Sequence, residues 1–155
     1  MEQQSTMSPH SQRSLTAVGG LVAIALVAFA AIHLVAPPMP ERPLDLSRAK
    51  ASEKGLYQVA IEPETGSIRQ GELHSWLLQL TSAAGRPVDD AVVTIDGGMP
   101  DHRHGLPTSP AVSGHLGAGK YRVEGLKFTM SGWWQLRFAI SAAAGSDSAV
   151  FNLKL

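Results

Sequence analysis

The sequence predicts an all-β protein, a seven-stranded antiparallel sandwich of immunoglobulin-like size, preceded by one N-terminal transmembrane helix. Three observations carry this expectation. Apolar and polar residues alternate with period two in several segments, as in Trp76, Leu78 and Leu80 against Ser75, Gln79 and Thr81. The segments are short and bounded by Gly, Pro, Asp or Ser. The run LTAVGGLVAIALVAFAAIHLVA, Leu15 to Ala36, contains no Asp, Glu, Lys or Arg.

Residues 1–14 form a short polar tail. Residues 15–36, at a helical rise of about 1.5 Å per residue, suffice for a hydrocarbon core of about 30 Å and read as a signal anchor. Ala28-Phe29-Ala30 offers a cleavage pattern, but the run is longer than the roughly 7–15 apolar residues of a cleaved leader. Pro37 and Pro38 are also poor neighbours for a cleavage at Ala36. Arg13 precedes the span, whereas Arg42, Arg48, Lys50 and Lys54 follow it, and a strict charge count would keep the C-terminal part inside. A domain of about 100 residues can be translocated despite flanking charge, so the favoured topology is single-pass in the inner membrane with an extracytoplasmic, periplasmic C-terminal domain, the opposite topology being the alternative. Residues 37–54, rich in Pro and charge, read as a linker.

Residues 55–155 hold the strand candidates 56–62, 72–82, 88–96, 111–116, 120–128, 133–141 and 148–155. In the sixth, Trp134, Leu136, Phe138 and Ile140 oppose Trp133, Gln135 and Arg137; in the last, Ala149, Phe151, Leu153 and Leu155 oppose Val150, Asn152 and Lys154. About 100 residues can bury a sufficient core without disulfides.

Composition removes several function classes. Thirteen Lys+Arg balance thirteen Asp+Glu, so no basic footprint for a nucleic-acid backbone exists. The absence of Cys excludes disulfides, thiolate metal sites, covalent haem attachment and a thiol nucleophile. No paired carboxylates, G-x-S-x-G or phosphate-binding glycine loop supports an enzyme. Any metal would fall to His, Met, carboxylate or backbone oxygen.

The chemically loaded segment is Gly97-Gly98-Met99-Pro100-Asp101-His102-Arg103-His104-Gly105-Leu106-Pro107. In an extended backbone the i, i+2 spacing of His102 and His104 would point both imidazoles to one side. Imidazole with thioether suits copper, the soft sulfur favouring the reduced ion. Counting antiparallel directions puts this loop and Thr129-Met130-Ser131-Gly132 at one end, which gathers Met99, His102, His104 and Met130, with His74 as an outlying candidate and His115 at the opposite end. The plain alternatives are that both Met residues pad the core and that the His-x-His pair is incidental. Asp96 is expected to open the loop and Asp101 to accept a hydrogen bond from a ligating imidazole. One of Trp133 and Trp134 must face outward if the strand is regular, to cover the site, bind a partner or lean on Arg137.

The residues Met99-Pro100-x-His102-x-His104-Gly105, Pro107 and Pro110, then Gly119-x-Tyr121-x-Val123-x-Gly125-Leu126-x-Phe128-x-Met130-x-Gly132-x-Trp134-x-Leu136, resemble the YtkA-like family and, more distantly, FixH-type proteins. The resemblance covers residues 70–155. It implies a small membrane-anchored or exported β-sandwich linked to copper handling or, for the FixH type, cation supply for oxidase assembly. Arg103 stands where many relatives are expected to carry a small residue. The leading expectation is therefore a copper-binding carrier or accessory protein, using Met99, His102, His104 and Met130. The alternative is an interaction module of an envelope complex whose loop 97–110 and Trp133 meet a protein partner. A pH-responsive His loop is a third reading.

Overall fold

The computed structural model describes residues 43–155. The tail at 1–14, the span at 15–36 and the start of the linker lie outside the described residues. Among the described residues no helix is long and apolar enough to cross a membrane.

All seven expected segments are strands, and two short ones join them. The order is β1 (Ala49–Ala51), β2 (Tyr57–Pro63), β3 (Leu73–Ser82), β4 (Val92–Met99), β5 (His104–Gly105), β6 (Ala111–Gly117), β7 (Lys120–Lys127), β8 (Trp133–Ala142) and β9 (Gly145–Lys154). Every pairing is antiparallel, and one hydrogen-bonded path runs β1-β2-β3-β7-β6-β4-β8-β9, with β5 on β4. The sheet curls into a nearly closed barrel with nine strands in place of the seven expected. Two features draw it round. β6 pairs with β7 along its length and meets β4 at Thr94↔Ala111, joining the two halves. On the far side, the Glu53 amide donates to the Ser148 carbonyl, and the Asn152 amide donates to the Asp45 carbonyl, so the chain before β2 lies along β9. The sheet thus begins inside the stretch read as linker.

The period-two alternation sets the core. Tyr57, Val59 and Ile61 of β2, Trp76, Leu78 and Leu80 of β3, Trp134, Leu136, Phe138 and Ile140 of β8, and Ala149, Phe151 and Leu153 of β9 are all buried. Phe138 meets Phe151 edge-on at 5.8 Å between ring centroids. Each large side chain removed from water contributes about 1.5–3 kcal/mol, which outweighs the weak β propensity of the many Gly and Ser residues between them.

β4 departs from its expected limits, beginning later and continuing through Gly97 and Gly98 to Met99. It starts late because Asp89 lies in the irregular segment ahead of it, where its carboxylate accepts the Gly119 amide. It continues because the glycines are demanded by close packing: a Cβ on Gly97 would collide with the Gln135 carbonyl, and one on Gly98 with the His104 carbonyl. Asp96 therefore does not open the loop.

A buried carboxylate clamps the chain before β2 to β9. Burial pushes the Asp147 carboxyl up, but it accepts the Ser52 hydroxyl at 2.6 Å and the amides of Lys54, Ser148 and Leu56, and these donors together hold its pKa at about 2. Ser52 in turn receives the Tyr57 amide at 2.9 Å, and the Tyr57 hydroxyl donates to the Gly145 carbonyl at 2.6 Å.

Candidate functional site at one end of the barrel

Register fixes which loops share an end. Leu73 pairs with Lys127, and Gly98 with Gln135, so the loop after β4, the turn after β7 and the start of β3 lie together, as the direction count expects. Met99, His102, His104, Met130 and His74 all belong to this end.

The histidines sit in a tight hairpin. Met99 pairs with His104, enclosing Pro100, Asp101, His102 and Arg103. Pro100–His102 forms one turn of 3-10 helix, and Arg103 adopts left-handed backbone at φ 56. The extended geometry expected of His-x-His is therefore absent. The rings nevertheless lie side by side, 6.1 Å apart at their centroids and inclined by 35°. The turn, rather than strand alternation, brings them together. The left-handed backbone at Arg103 costs about 1 kcal/mol of strain that a glycine would not incur.

Directly opposite residues of an antiparallel pair point to the same face. Met99 faces the barrel interior, 2 % exposed, so His104 leans over that interior too. Its ring meets Trp134 edge-on at 5.7 Å, and Trp134 in turn meets Phe128 at 5.4 Å. His104 Nδ1 lies 3.0 Å from the Gly105 carbonyl. Donation from Nδ1 to that oxygen leaves the Nε2 lone pair for a ligand. His102 and His104 are both exposed.

The two Met residues differ in access. The terminal methyl of Met99 lies 3.1 Å from where a Cβ on Gly132 would stand, so the absence of a side chain at Gly132 makes room for it. Met130 is half-buried against the core, and its carbonyl accepts the Trp134 indole N–H at 3.0 Å. Trp134 thus touches His104 on one side and ties down the Met130 backbone on the other. Sequence reasoning placed Trp134 in the core but missed this bridging position, for which the adjacent Met130 and Trp134 were the available signal.

The remaining residues fall out of the site. His74 is 6 % exposed, packs on Phe128 at 6.1 Å, and its Nε2 lies 2.8 Å from the Arg69 carbonyl, so burial and that backbone contact hold it out of the site. Among the described residues Asp101 makes no hydrogen bond to either imidazole; the Gly105 carbonyl takes the role expected of it. Trp133 faces outward, half-buried, but donates to Asn152 Oδ1 at 3.0 Å instead of leaning on Arg137. His115 lies at the opposite end, as expected, bonded to Asp89 at 2.9 Å.

Among the described residues no group of three or more His, Cys, Asp or Glu is placed to hold a metal ion. The soft donors at this end of the barrel are the neighbouring imidazoles of His102 and His104 and the thioethers of Met99 and Met130. That set is too soft and too poor in oxygen for calcium or magnesium, and it suits copper, above all Cu(I).

The model of the YtkA-like family matches residues 52–139. No curated protein and no solved structure matches the chain.

Proposed function

This chain belongs to the YtkA-like family, and from that premise we propose that it is a membrane-anchored, extracytoplasmic copper-binding accessory or carrier protein, not a catalyst. The observation that carries the reading is the juxtaposition of the His102 and His104 rings, with His104 directly opposite Met99 and against Trp134. His102 and His104 supply the entry ligands because they are exposed. Met130 and Met99 supply sulfur from beneath, and Met99 reaches the ion only after its methyl swings away from Gly132. A site with two accessible ligands and two recessed ones suits hand-over, since a partner can displace the imidazoles first. The uncharged run at residues 15–36 supports the anchor, and the length of the following domain supports its translocation despite the flanking charge.

Selectivity tests this reading. The full-length chain, equilibrated with copper and zinc together under reducing conditions, retains copper in preference to zinc, and the His102→Ala/His104→Ala variant loses it. Equal retention of both metals, or no difference between the two proteins, overturns the assignment. The other reading, an interaction module of an envelope complex, draws on the burial of Met99: a side chain 2 % exposed behaves as core padding until it moves.

A further inference from the structure

The same end carries a second feature, which adjoins the histidine hairpin and involves two arginines that the copper reading does not use. A hollow of about 300 Å³ lies over Gly98 and is bordered by Asp96, Arg103, His104, Gln135 and Arg137. Gly98, which follows the outward-facing Asp96 by two positions in β4, contributes no side chain there, whereas its neighbours Gln135 and Arg137 carry long ones. The size of the hollow falls at the lower end of the roughly 300–1,000 Å³ range of small-ligand sites.

Two guanidiniums border it from different elements, Arg103 from the hairpin turn and Arg137 from β8. Neither is neutralised by the carboxylate best placed to do so. Asp96 and Arg137 are register partners across β4 and β8, an arrangement that ordinarily yields a cross-strand ion pair. Here Asp96 Oδ1 instead accepts its neighbour's amide, that of Gly97, at 2.7 Å. Arg137 approaches only Glu53, at 3.7 Å, with both side chains more than half exposed. Among the described residues Arg103 forms no ion pair at all, although its backbone is held in a left-handed conformation that favours glycine. The hollow thus presents two forked donors against a single carboxylate already turned aside.

We propose that this hollow binds a carboxylate-bearing ligand, held by Arg103 and Arg137. A lone surface guanidinium gives little affinity, because water competes for every donor. Two that border one recess, each able to make paired N–H···O bonds with a planar carboxylate once Arg137 leaves Glu53, would give more. The Gln135 side chain borders the same recess, and its amide nitrogen is engaged with Asn152 Oδ1 at 3.2 Å, which fixes its position. The carboxylate source is either a free small dicarboxylate or an acidic side chain of a partner. Met99 and His104 also line the hollow, so the inference concerns the metal-free chain.

The test uses the full-length chain freed of metal, titrated with succinate and separately with a short Glu-rich peptide by isothermal calorimetry at low salt. Binding with Kd on the order of 0.1–1 mM is expected, weakened at least tenfold by Arg103→Ala and by Arg137→Ala. Arg137→Lys, which keeps the charge but not the fork, is expected to weaken it by several-fold. Arg122→Ala is the control, since Arg122 pairs with Glu64 at 2.9 Å and does not border the hollow. Succinate binding identifies a free carboxylate as sufficient, and binding of the peptide alone identifies a partner's acidic segment. Binding of neither, or binding unchanged in both Arg103→Ala and Arg137→Ala, overturns the proposal. The two arginines are exposed, so both variants keep the fold, which circular dichroism checks.

Discussion

The two ends of this barrel each carry histidine, and they treat it in opposite ways. At the far end, His115 is bonded to Asp89, whose carboxylate also accepts the Gly119 amide; the His115 ring packs on Tyr121 at 4.9 Å. The Tyr121 hydroxyl closes the arrangement by donating to the Val88 carbonyl and accepting the Ala91 amide. The Gly119 amide and the His115 side chain hold the Asp89 carboxyl below its usual range. There the His115 Nε2 is held by a carboxylate and its ring by an aromatic neighbour. At the near end, His102 and His104 are exposed, and the hydrogen bond to Gly105 engages only one of the two nitrogens of His104. A histidine becomes chemically available through what its neighbours leave unbonded, not through its presence.

The largest effect expected from breaking this contrast comes at Trp134, which joins the near end to the core. Trp134→Ala removes a fully buried indole and its bond to the Met130 carbonyl, and is expected to cost about 3–5 kcal/mol in denaturant unfolding. Gly119→Ala tests the far end. Its backbone is at φ +74 and a Cβ would strike the Leu80 carbonyl, whereas Gly117, at φ +81, has open space around it. Gly119→Ala should therefore cost about 2–4 kcal/mol and Gly117→Ala about 1 kcal/mol, since the second pays only for the left-handed backbone.

Acid sharpens the picture of how the barrel is closed. The Asp147 carboxyl titrates at about 2 in the folded chain against 3.8 unfolded, so its contribution is fully present above 3.8 and is lost as pH falls through about 2. Unfolding midpoints measured from pH 5 to pH 2 should fall, and Asp147→Asn should be less stable at pH 5 and flatter across that range. A profile unchanged by Asp147→Asn would remove the carboxylate from the closure. The smallest effect is at Arg103. Arg103→Gly relieves the left-handed backbone and should stabilise the chain by about 0.5–1 kcal/mol, a gain visible as a small rise in Tm.

The same contrast explains what could be read in advance. Trp76, Leu78 and Leu80, or Phe138 and Ile140, announce their strands because burial on one face leaves a period-two trace in the chain. Ala49–Ala51 leave none: β1 exists because β2 offers it a free edge, a tertiary cause invisible in three small or charged residues. Gly97 and Gly98 mislead, because glycine suggests a turn while close approach of neighbouring backbone demands it within a strand. The cluster at the near end was legible from strand directions alone. The placement of the two imidazoles was not, since it depends on a left-handed residue that happens to be arginine.

The central claim is that the near end, and not the far one, takes up copper. Competition titration of Cu(I) against a chromophoric chelator, on the full-length chain and its variants, tests it most directly. The expected result is a loss of affinity of at least a hundredfold in His102→Ala/His104→Ala, with His115→Ala unchanged. Equal affinity in the His102→Ala/His104→Ala variant and the parent chain, or a loss confined to His115→Ala, would contradict it.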